Sequence, residues 1–289
     1  MKVAITGSTG FIGNALTKQL EKTDSISLST FDRSKYSLSS IDSLKNFVKD
    51  KDVIIHLAGA TDTLDNCFKI NILGTAHILE AISLFGKTNT RFIYASSFAV
   101  YEEQSQHNKL NEETSKTIPR NYYGMSKLLA EELIAFYSRM NNIKYTIFRI
   151  ANPYGPNNWK KYSGIIPLLI DKIYKGEPIV INGSGSQSRD FIFINDLVQA
   201  FVKVLDYKDN SLLINICSGI EITIIELIKK IEAILRKKAI LVFNKQQKEI
   251  GYWIGESEKA RDKIGFLTTT DIDKGLQQII SSYLENKNL

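Results

Sequence analysis

The chain has 289 residues, 43% of them hydrophobic, and a net charge of +6 from 37 basic and 31 acidic side chains. This length allows one large domain or two modest ones. The lysines form no dense basic block and are not interleaved with aromatic residues, so we expect no nucleic-acid partner. The positive charge either covers a solvated surface or serves in part an anionic small molecule. No apolar run approaches the roughly 20 residues of a membrane span, which argues against a membrane partner.

Cysteines and histidines are few and scattered. Cys67 and Cys217 stand alone, without metal-ligand spacing, and a disulfide framework is not expected. His56, His77 and His107 are equally dispersed, so we expect no metal site. Because the chain opens on a strand rather than on the charged and apolar regions of a signal peptide, we expect a cytoplasmic protein.

The first predicted strand, residues 2–6, leads into three glycines and then into helical spacing over residues 14–20. The glycines are Gly7, Gly10 and Gly13. Glycine permits unusual backbone angles and lets a phosphate approach bare amides at a helix N-terminus. The spacing Gly-x-x-Gly-x-x-Gly therefore predicts a site for a dinucleotide pyrophosphate, with an ordinary glycine-rich turn as the alternative.

The second predicted strand, residues 26–31, is followed by Asp32 and Arg33. A carboxylate at this place can accept both ribose hydroxyls of adenosine and repels a 2′-phosphate, which favours NAD. Arg33 can bind a 2′-phosphate, so NADP stays open as the cofactor. A polar turn at the end of a strand is the alternative without any ligand.

A third strand is predicted at 53–58 and a helix at 66–85. Two serines then follow the strand predicted at 91–95. Ser96 and Ser97 lie at the carboxyl end of a buried strand, where ligands bind in open α/β sheets. A hydroxyl there can donate to a substrate oxygen as its charge changes, although a strand-end cap is equally compatible with the pattern.

Tyr123 and Lys127 are four residues apart on a helix predicted at 122–139, so their side chains share one face. A lysine cation lowers the pKa of a nearby tyrosine by stabilising the phenolate. Tyr123 can then act as a general acid or base near neutral pH, and Lys127 can also hold the nicotinamide ribose. Tyr122 has no lysine four residues later and is the less suitable base.

After a strand predicted at 145–149, the sequence becomes rich in turn residues over 152–158. The elements predicted beyond it are helices at 164–175, 195–205 and 223–236 and strands at 179–181, 191–194 and 212–217.

Strands that alternate with helices predict an α/β fold with a doubly wound parallel sheet of the Rossmann type. We expect residues 1–150 to form the dinucleotide-binding domain, with returning segments from about 190–217. We expect residues 151–289 to form mainly a smaller α+β substrate-binding lobe above the carboxyl ends of the strands.

In this order, the motifs resemble the extended short-chain dehydrogenase/reductases, in particular the NAD-dependent epimerase/dehydratase family that acts on nucleotide sugars. The likeness covers nearly the whole chain. It is carried by residues 7–13, 56–59, 71–75, 95–101, 123–127, 149–156, 183–192 and 195–197.

The resemblance implies a role for each matching residue. Ser97 matches the catalytic Ser/Thr, Tyr123 the acid/base and Lys127 the assisting lysine. Implied cofactor-binding residues are Gly7, Gly10, Phe11, Ile12, Gly13, Asp32, Arg33, Leu57, Ala58, Tyr123 and Lys127; implied substrate-binding residues are Ser97, Asn152, Arg189 and Glu249. Arginine suits a nucleotide diphosphate because its fork matches phosphate oxygens, but an ion pair with Asp190 or another carboxylate is the alternative for Arg189.

Three departures from the family pattern bear on the reaction. Dehydratases carry an acidic pair after the catalytic hydroxyl, whereas Phe98 and Ala99 follow Ser97, so 4,6-dehydratase activity is not expected. The family has a second phosphate-binding arginine three residues before an acid near the C-terminus, and Gln246 stands at that position. Either Lys245 or Lys248 binds the phosphate instead, or the substrate differs. The short segment between the second and third strands is more similar to 4-ketosugar reductases.

The resemblance therefore implies an NAD(P)-dependent enzyme that transfers a hydride at C4 of a nucleotide sugar. The first hypothesis is a 4-epimerase similar to UDP-glucose 4-epimerase, and the alternative is a 4-keto-6-deoxy nucleotide-sugar reductase. A non-catalytic cofactor-binding scaffold is a distant third. The resemblance also implies a homodimer through the helices predicted at 66–85 and 122–139. The nucleotide base and the sugar stay open.

Overall fold

The computed structural model describes residues 1–104, 107–156, 164–209, 211–244 and 251–287. Up to residue 150 the regular elements are β1 (Lys2–Thr6), α1 (Phe11–Leu20), β2 (Ser27–Thr30), α2 (Ile41–Val48), β3 (Val53–His56), α3 (Leu64–Asn66), α4 (Gly74–Phe85), β4 (Arg91–Ser97), α5 (Tyr122–Asn141) and β5 (Lys144–Ile150). A π-helical turn, Cys67–Leu73, joins α3 to α4, and a 3₁₀ turn, Phe98–Val100, follows β4.

Beyond residue 150 the elements are shorter. They are β6 (Asn152–Tyr154), α6 (Ile165–Lys175), β7 (Pro178–Asn182), β8 (Ser188–Arg189), β9 (Phe191–Phe193), α7 (Ile194–Val204), β10 (Ser211–Ile216), β11 (Ile222–Thr223), α8 (Ile224–Leu235), β12 (Ile240–Asn244), α9 (Glu258–Ile264) and α10 (Ile272–Lys287). Six of the short strands pair two by two, β6 with β9, β7 with β12 and β8 with β11.

The main sheet has the strand order β10-β5-β4-β3-β1-β2, and every pairing in it is parallel. Because parallel strands end at the same edge, the residues that follow β1, β3 and β4 lie side by side. The predicted α/β fold with a doubly wound parallel sheet is therefore confirmed. β10 lies beside β5 in this sheet, and α7 packs on α1. The boundary between the two domains at residue 150 stays a prediction.

The sheet is buried on both faces. Side chains alternate across a strand, so Val3 and Ile5 face the layer of α1 and α7, whereas Ala4 faces the layer of α2, α4 and α5. Near-continuous apolar runs are what a strand covered on both sides requires. The two helical layers hold the sheet rigidly and leave its carboxyl edge open for a site.

Several predicted boundaries need correction. The strand predicted at 53–58 ends at His56, because the chain leaves the sheet there and passes over the glycine turn. The strand predicted at 91–95 continues to Ser97, so both serines belong to it. Helices α2, α9 and α10 and strand β12 lie in stretches for which no element was predicted. In α2, buried Leu44, Phe47 and Val48 do have helical spacing, but polar serines around them hide it.

Within the described ranges, one helical stretch, Leu64–Phe85, is long and apolar enough by length and composition to cross a membrane. The stretch is not a continuous apolar run, because it contains Asp65, Lys69 and Glu80, so it does not contradict the expectation from the sequence. In this fold the stretch packs on α5 and α2, and its buried side chains, such as Ile78 and Ile82, belong to the core on one face of the sheet. The helices of a protein core meet the same compositional criterion.

Candidate active site

The turn between β1 and α1 brings backbone against backbone. Gly7 has a φ of +71°, in the left-handed region that favours glycine. A Cβ on Gly7 would lie 2.6 Å from the amide nitrogen of Ala58, and a Cβ on Gly13 would overlap the carbonyl of Gly7. No described side chain caps the N-terminus of α1 after Gly10. Its first amides are thereby suited to an anion, as the sequence predicts for a pyrophosphate.

A buried histidine supports this turn from behind. His56 Nδ1 lies 2.6 Å from the hydroxyl of Thr6, and that hydroxyl accepts the N–H of Ala58 at 3.2 Å. Burial, and secondarily the nearby Lys127 cation, lowers the pKa of His56 to about 3. The imidazole is therefore neutral at physiological pH and joins the ends of β1 and β3. His56 lies in a stretch that carries the family resemblance, but its support of the turn is visible only in the folded chain.

Asp32 and Arg33 lie at the end of β2, and both are exposed. One carboxylate oxygen of Asp32 accepts the N–H of Ser34 at 2.9 Å and its hydroxyl at 2.8 Å. These bonds, together with Lys35 at 3.7 Å from the other oxygen, keep the pKa of the carboxyl below its usual range. Asp32 thus takes part in a polar turn with Ser34, and one cation, Lys35, lies near its carboxylate.

The two serines of β4 point to different partners. The Ser97 hydroxyl accepts the N–H of Ala99 at 3.2 Å, so it caps the 3₁₀ turn and also lines a cavity. The Ser96 hydroxyl is buried and donates to the carboxylate of Glu131 on α5. Both serines line the cavity, but only the Ser96 hydroxyl bonds the buried carboxylate.

Helix α5 positions Lys127 against the sheet. Its ammonium donates to the carbonyl oxygen of Ala95 at 2.7 Å and lies 4.6 Å from the centroid of the Tyr94 ring. The centroid of the Tyr123 ring is 6.0 Å away. Burial lowers the pKa of Lys127 to about 8, while the charge of Glu131 acts in the opposite direction. The predicted face shared by Tyr123 and Lys127 is present.

A cavity of about 400 Å³ lies at the carboxyl edge of the sheet. The predicted residues that line it are Gly7, Gly10, Phe11, Ile12, Gly13, Leu57, Ser97, Tyr123, Lys127 and Asn152. Of the predicted residues that the structure describes, four lie outside its lining, namely Asp32, Arg33, Ala58 and Arg189. A second cavity, of about 560 Å³, lies between α1 and α7 and contains none of Ser97, Tyr123 and Lys127. The chemistry therefore belongs to the first cavity.

Asn71 supports the loop after β3, which contributes Gly59 and Thr61 to the lining of this cavity. It lies in the π-helical turn, is fully buried, and its amide donates to the Ser126 hydroxyl at 2.8 Å and to the Ala60 carbonyl at 2.9 Å. Its own oxygen accepts the N–H of Ala60 at 2.8 Å. Asn71 thus ties the loop after β3 to α5. Single π-turns inside helices often mark functional sites, a signal that the sequence alone does not display.

Another part of the lining comes from the second half of the chain. Asn152 lines the cavity, and its side-chain amide donates to the carbonyl of Asp190 at 2.8 Å. The Arg189 guanidinium donates to the carbonyls of Ser188 and Gly251, each at 2.6 Å, and stacks 5.0 Å from the Trp253 ring. Trp253 also lines the cavity. Burial lowers the pKa of Arg189 to about 10, so it keeps its positive charge.

The foreseen ion pair between Arg189 and Asp190 does not form. The buried Asp190 carboxylate accepts the N–H groups of Ser218 and Gly219, both at 2.8 Å, and the Ser218 hydroxyl at 2.7 Å. The remaining predicted substrate residue, Glu249, lies outside the described residues together with Lys245, Gln246 and Lys248. No pattern in the sequence indicated Trp253, because its place in the wall depends on how the chain returns after residue 250.

The assembled site combines a phenol, a buried cation and a hydroxyl around one cavity, next to a helix N-terminus that no described side chain caps. Such a set can bind an anionic group, move a proton at an alcohol oxygen and hold that oxygen with a second hydroxyl. Leu57, Phe11 and Ile12 contribute apolar side chains to the lining of the same cavity.

Known proteins were compared with the chain as a whole. The family model described as "NAD dependent epimerase/dehydratase family" matches residues 3–217. A candidate UDP-glucose 4-epimerase of Methanocaldococcus jannaschii is 28% identical, over 99% of both chains. The dTDP-4-dehydro-6-deoxyglucose reductase of Escherichia coli is 30% identical, over 97% of this chain and 96% of its own.

Among solved structures, the UDP-glucuronic acid 4-epimerase of Bacillus cereus, in complex with UDP-glucuronic acid and NAD, superimposes with a TM-score of 0.86. The two sequences are 25% identical, and the likeness covers 99% of this chain and 100% of the other. The family match includes the glycine turn, both serines, and Tyr123 with Lys127. The chain belongs to the NAD-dependent epimerase/dehydratase family of extended short-chain dehydrogenase/reductases.

Proposed function

We propose that this protein is a nucleotide-sugar 4-epimerase similar to UDP-glucose 4-epimerase, with NAD as its bound cofactor. The observation that carries the proposal is one cavity lined by the glycine turn, Ser97, Tyr123 and Lys127. The proposal covers the reaction at C4 and the class of substrate, and it leaves the nucleotide base and the sugar open.

The residues present fit a dinucleotide. Gly7 and Gly13 leave no room for a Cβ, and the uncapped amides of α1 are suited to a pyrophosphate. Asp32 and Arg33 follow the neighbouring strand, where an adenosine ribose would be held. When bound, the nicotinamide accepts a hydride and returns it. NADP is the alternative cofactor, because Arg33 follows Asp32 in the chain and an arginine can bind a 2′-phosphate.

The side chains divide the remaining work. Tyr123 accepts the proton of the sugar C4 hydroxyl and later returns it, because the Lys127 cation favours its phenolate. Ser97 donates a hydrogen bond to the same sugar oxygen. Asn152 and Arg189 hold the nucleotide diphosphate, and Glu249 belongs to the same proposed set. The apolar Phe98 and Ala99 supply neither acid nor base for dehydration, so we propose no 4,6-dehydratase activity.

The second candidate function is a 4-keto-6-deoxy nucleotide-sugar reductase. It is favoured by the short connection from β2 to β3 and by the likeness to the E. coli reductase, which is 30% identical. The same side chains serve this reaction, but fresh NAD(P)H enters and the reduced sugar leaves. The two functions therefore differ in whether the cofactor stays on the protein.

The deciding experiment measures the nucleotide released when the purified protein is denatured, together with turnover. An epimerase retains NAD at near-unit occupancy and interconverts the 4-epimers of a sugar nucleotide without added cofactor. A protein that retains no cofactor and oxidises NAD(P)H with a 4-keto sugar nucleotide is the reductase. A thermal-shift series of UDP-, dTDP-, GDP- and CDP-sugars identifies the base, because a ligand of the folded state raises its melting temperature. No turnover and no shift with any of them contradicts both functions.

A further inference from the structure

A buried charge network adjoins the cavity through Ser96, which is among the residues that line it. The carboxylate of Glu131, 4% exposed, accepts three bonds from the Arg149 guanidinium at 2.7–3.2 Å and a short bond from the Ser96 hydroxyl. Arg149 also lies 4.7 Å from the centroid of the Tyr101 ring, and the Tyr101 hydroxyl donates to Asn215 at 2.7 Å. These side chains connect α5 to three neighbouring strands of the sheet, β4, β5 and β10.

The contacts of α5 on β4 follow the helical repeat. Tyr123, Lys127 and Glu131 are four residues apart and share one face of α5. Lys127 bonds the carbonyl of Ala95, and Glu131 bonds the hydroxyl of Ser96. Two consecutive strand residues are thus held by two consecutive turns of the helix. The next strand residue is Ser97, and the preceding helical turn carries Tyr123.

We infer that Glu131 is a positioning residue, which acts through Ser96 to hold Tyr123 and Ser97 in the relative placement that proton transfer requires. The inference rests on the proposed function for its kinetic consequence, and on the two contacts for its geometry. The Lys127 bond fixes α5 at Ala95, and the Glu131 bond one helical turn later adds a second directional contact, to the next residue of the same strand. A displacement of about 1 Å at reacting groups can cost roughly 100-fold in rate.

Stability alone does not account for this network. Burying two charges costs desolvation energy, and buried ion pairs are often replaced by apolar residues without loss of stability. A hydrophobic contact between α5 and the sheet would hold the layers together but would not fix their register, because apolar packing has little directionality. The carboxylate has two oxygens at defined angles, so it can fix both Ser96 and Arg149.

The test compares S96A, E131Q and the double variant with the wild type in the presence of NAD. S96A removes the strand contact and leaves the ion pair with Arg149 in place. We expect kcat to fall about 10- to 100-fold in each single variant, with KM for the nucleotide sugar and the content of NAD unchanged. Because both residues act through one contact, the double variant should be no slower than the slower single variant.

Asp196 offers a matched control. Its carboxylate is 3% exposed, close to the 4% of Glu131, and it accepts bonds from Thr269 and Thr270 away from the cavity. D196N should lower the melting temperature and leave kcat as in the wild type. If S96A and E131Q behave like D196N, the inference is wrong, since their role is then structural. Losses of kcat that multiply in the double variant also overturn it.

Crystal structures of the wild type and of S96A supply a readout without turnover. The inference requires the separation of the Tyr123 hydroxyl from the Ser97 hydroxyl to change in S96A, and an unchanged separation refutes it. If the wild type acts on no nucleotide sugar, the proposed function fails, and this distance still decides the positioning role. S96A leaves no buried charge unpaired, so this variant can still be measured if E131Q does not fold.

Discussion

A side chain on Gly7 would place its Cβ 2.6 Å from the amide nitrogen of Ala58, so the first turn of the chain and the exit of β3 are in direct backbone contact. The cradle proposed for the pyrophosphate is therefore made by two segments, which lie about 50 residues apart in sequence. We therefore expect a change that separates the two segments to weaken binding of the cofactor more than binding of the sugar.

Gly7→Ala tests this contact. We expect loss of NAD binding and a lowered melting temperature, because the new methyl group collides with Ala58 and the backbone is left-handed. Gly176 has the same φ of +71°, with no atom within 4 Å of a built Cβ. G176A should therefore cost only the backbone strain, about 1–2 kcal/mol of unfolding free energy. Calorimetric NAD titration and thermal melts of both variants measure the difference; equal NAD affinities would contradict the cradle.

Tyr123→Phe removes the proposed acid/base and leaves the ring in place. Turnover on the accepted sugar nucleotide should fall by about 10²- to 10⁴-fold, the usual contribution of a positioned general acid or base. Y122F is the matched control, because Tyr122 is exposed and its hydroxyl donates to the carbonyl of Asp62 at 3.1 Å. Steady-state kinetics of the two variants decide the matter, and wild-type turnover in Y123F would rule out this base.

Lys127 should give the reaction an alkaline limit. Its pKa of about 8 means that the cation beside Tyr123 is lost above that pH, so kcat should fall there. In K127R the charge persists, and the fall near pH 8 should disappear even if kcat is lower throughout. A pH profile of kcat from 6 to 10 compares the two enzymes. An identical alkaline limb in both would assign the limb to another group.

The same pKa predicts how stability responds to pH. The folded-state value of about 8 lies below the ordinary value of 10.5, so the unfolded chain binds more protons between these pH values. The free energy of unfolding attributable to Lys127 therefore increases as pH rises from 8 to 10.5. Denaturant titrations of wild type and K127M should diverge over this window, with the wild type gaining. Parallel curves would show that Lys127 has an ordinary pKa.

Asp32 and Arg33 set the preference between NAD and NADP in the proposed site. D32A removes the carboxylate that repels a 2′-phosphate and leaves Arg33 and Lys35, so NADPH should gain affinity relative to NADH. R33A should change the ratio in the opposite direction. Fluorescence titrations with both nucleotides give the ratio directly. An unchanged ratio in both variants would place the adenosine ribose elsewhere.

The predicted homodimer has a surface that fits it. Exposed Met125, Leu129, Phe136 and Met140 lie along α5, and the neighbouring stretch Leu64–Phe85 exposes further large apolar side chains. F136E should convert a dimer to a monomer in analytical ultracentrifugation, because a buried charge destabilises an apolar interface. L267E is the control, since Leu267 is 62% exposed elsewhere on the chain. A wild type that sediments as a monomer would refute the assembly.

Most of the fold could be predicted from the sequence, because the signals that indicate its strands, helices and turns are local. Three glycines between an apolar run and a helix define the first turn, and Tyr123 and Lys127 need only the helical repeat to share a face. The position of Ser96 and Ser97 at the end of a strand did not distinguish them, and only the family resemblance pointed to Ser97. The contact of Ser96 is with Glu131, which lies 35 residues later. That Ser96 faces a buried carboxylate is known only once α5 is docked on β4.

Other parts of the site depend on long-range contacts that leave no pattern. Trp253 enters the cavity wall beside Arg189 through pairing with a strand more than 60 residues earlier. Asn71 gave no sign that it closes the loop after β3, because its partners Ala60 and Ser126 are distant in sequence. Polar side chains of this kind are placed by tertiary structure, whereas propensity and spacing report only on neighbours.

β10 also constrains how the protein is made. This outer strand pairs with β5, yet 60 residues separate Ile150 from Ser211, and they include α6 and α7. A nascent chain that has just left the ribosome at residue 150 therefore presents β5 as an open edge, a template for pairing with other chains. The 60 residues between β5 and β10, and β10 itself, must be synthesised before that edge is covered. Truncation after β5 should thus give an aggregating fragment rather than a free-standing cofactor domain.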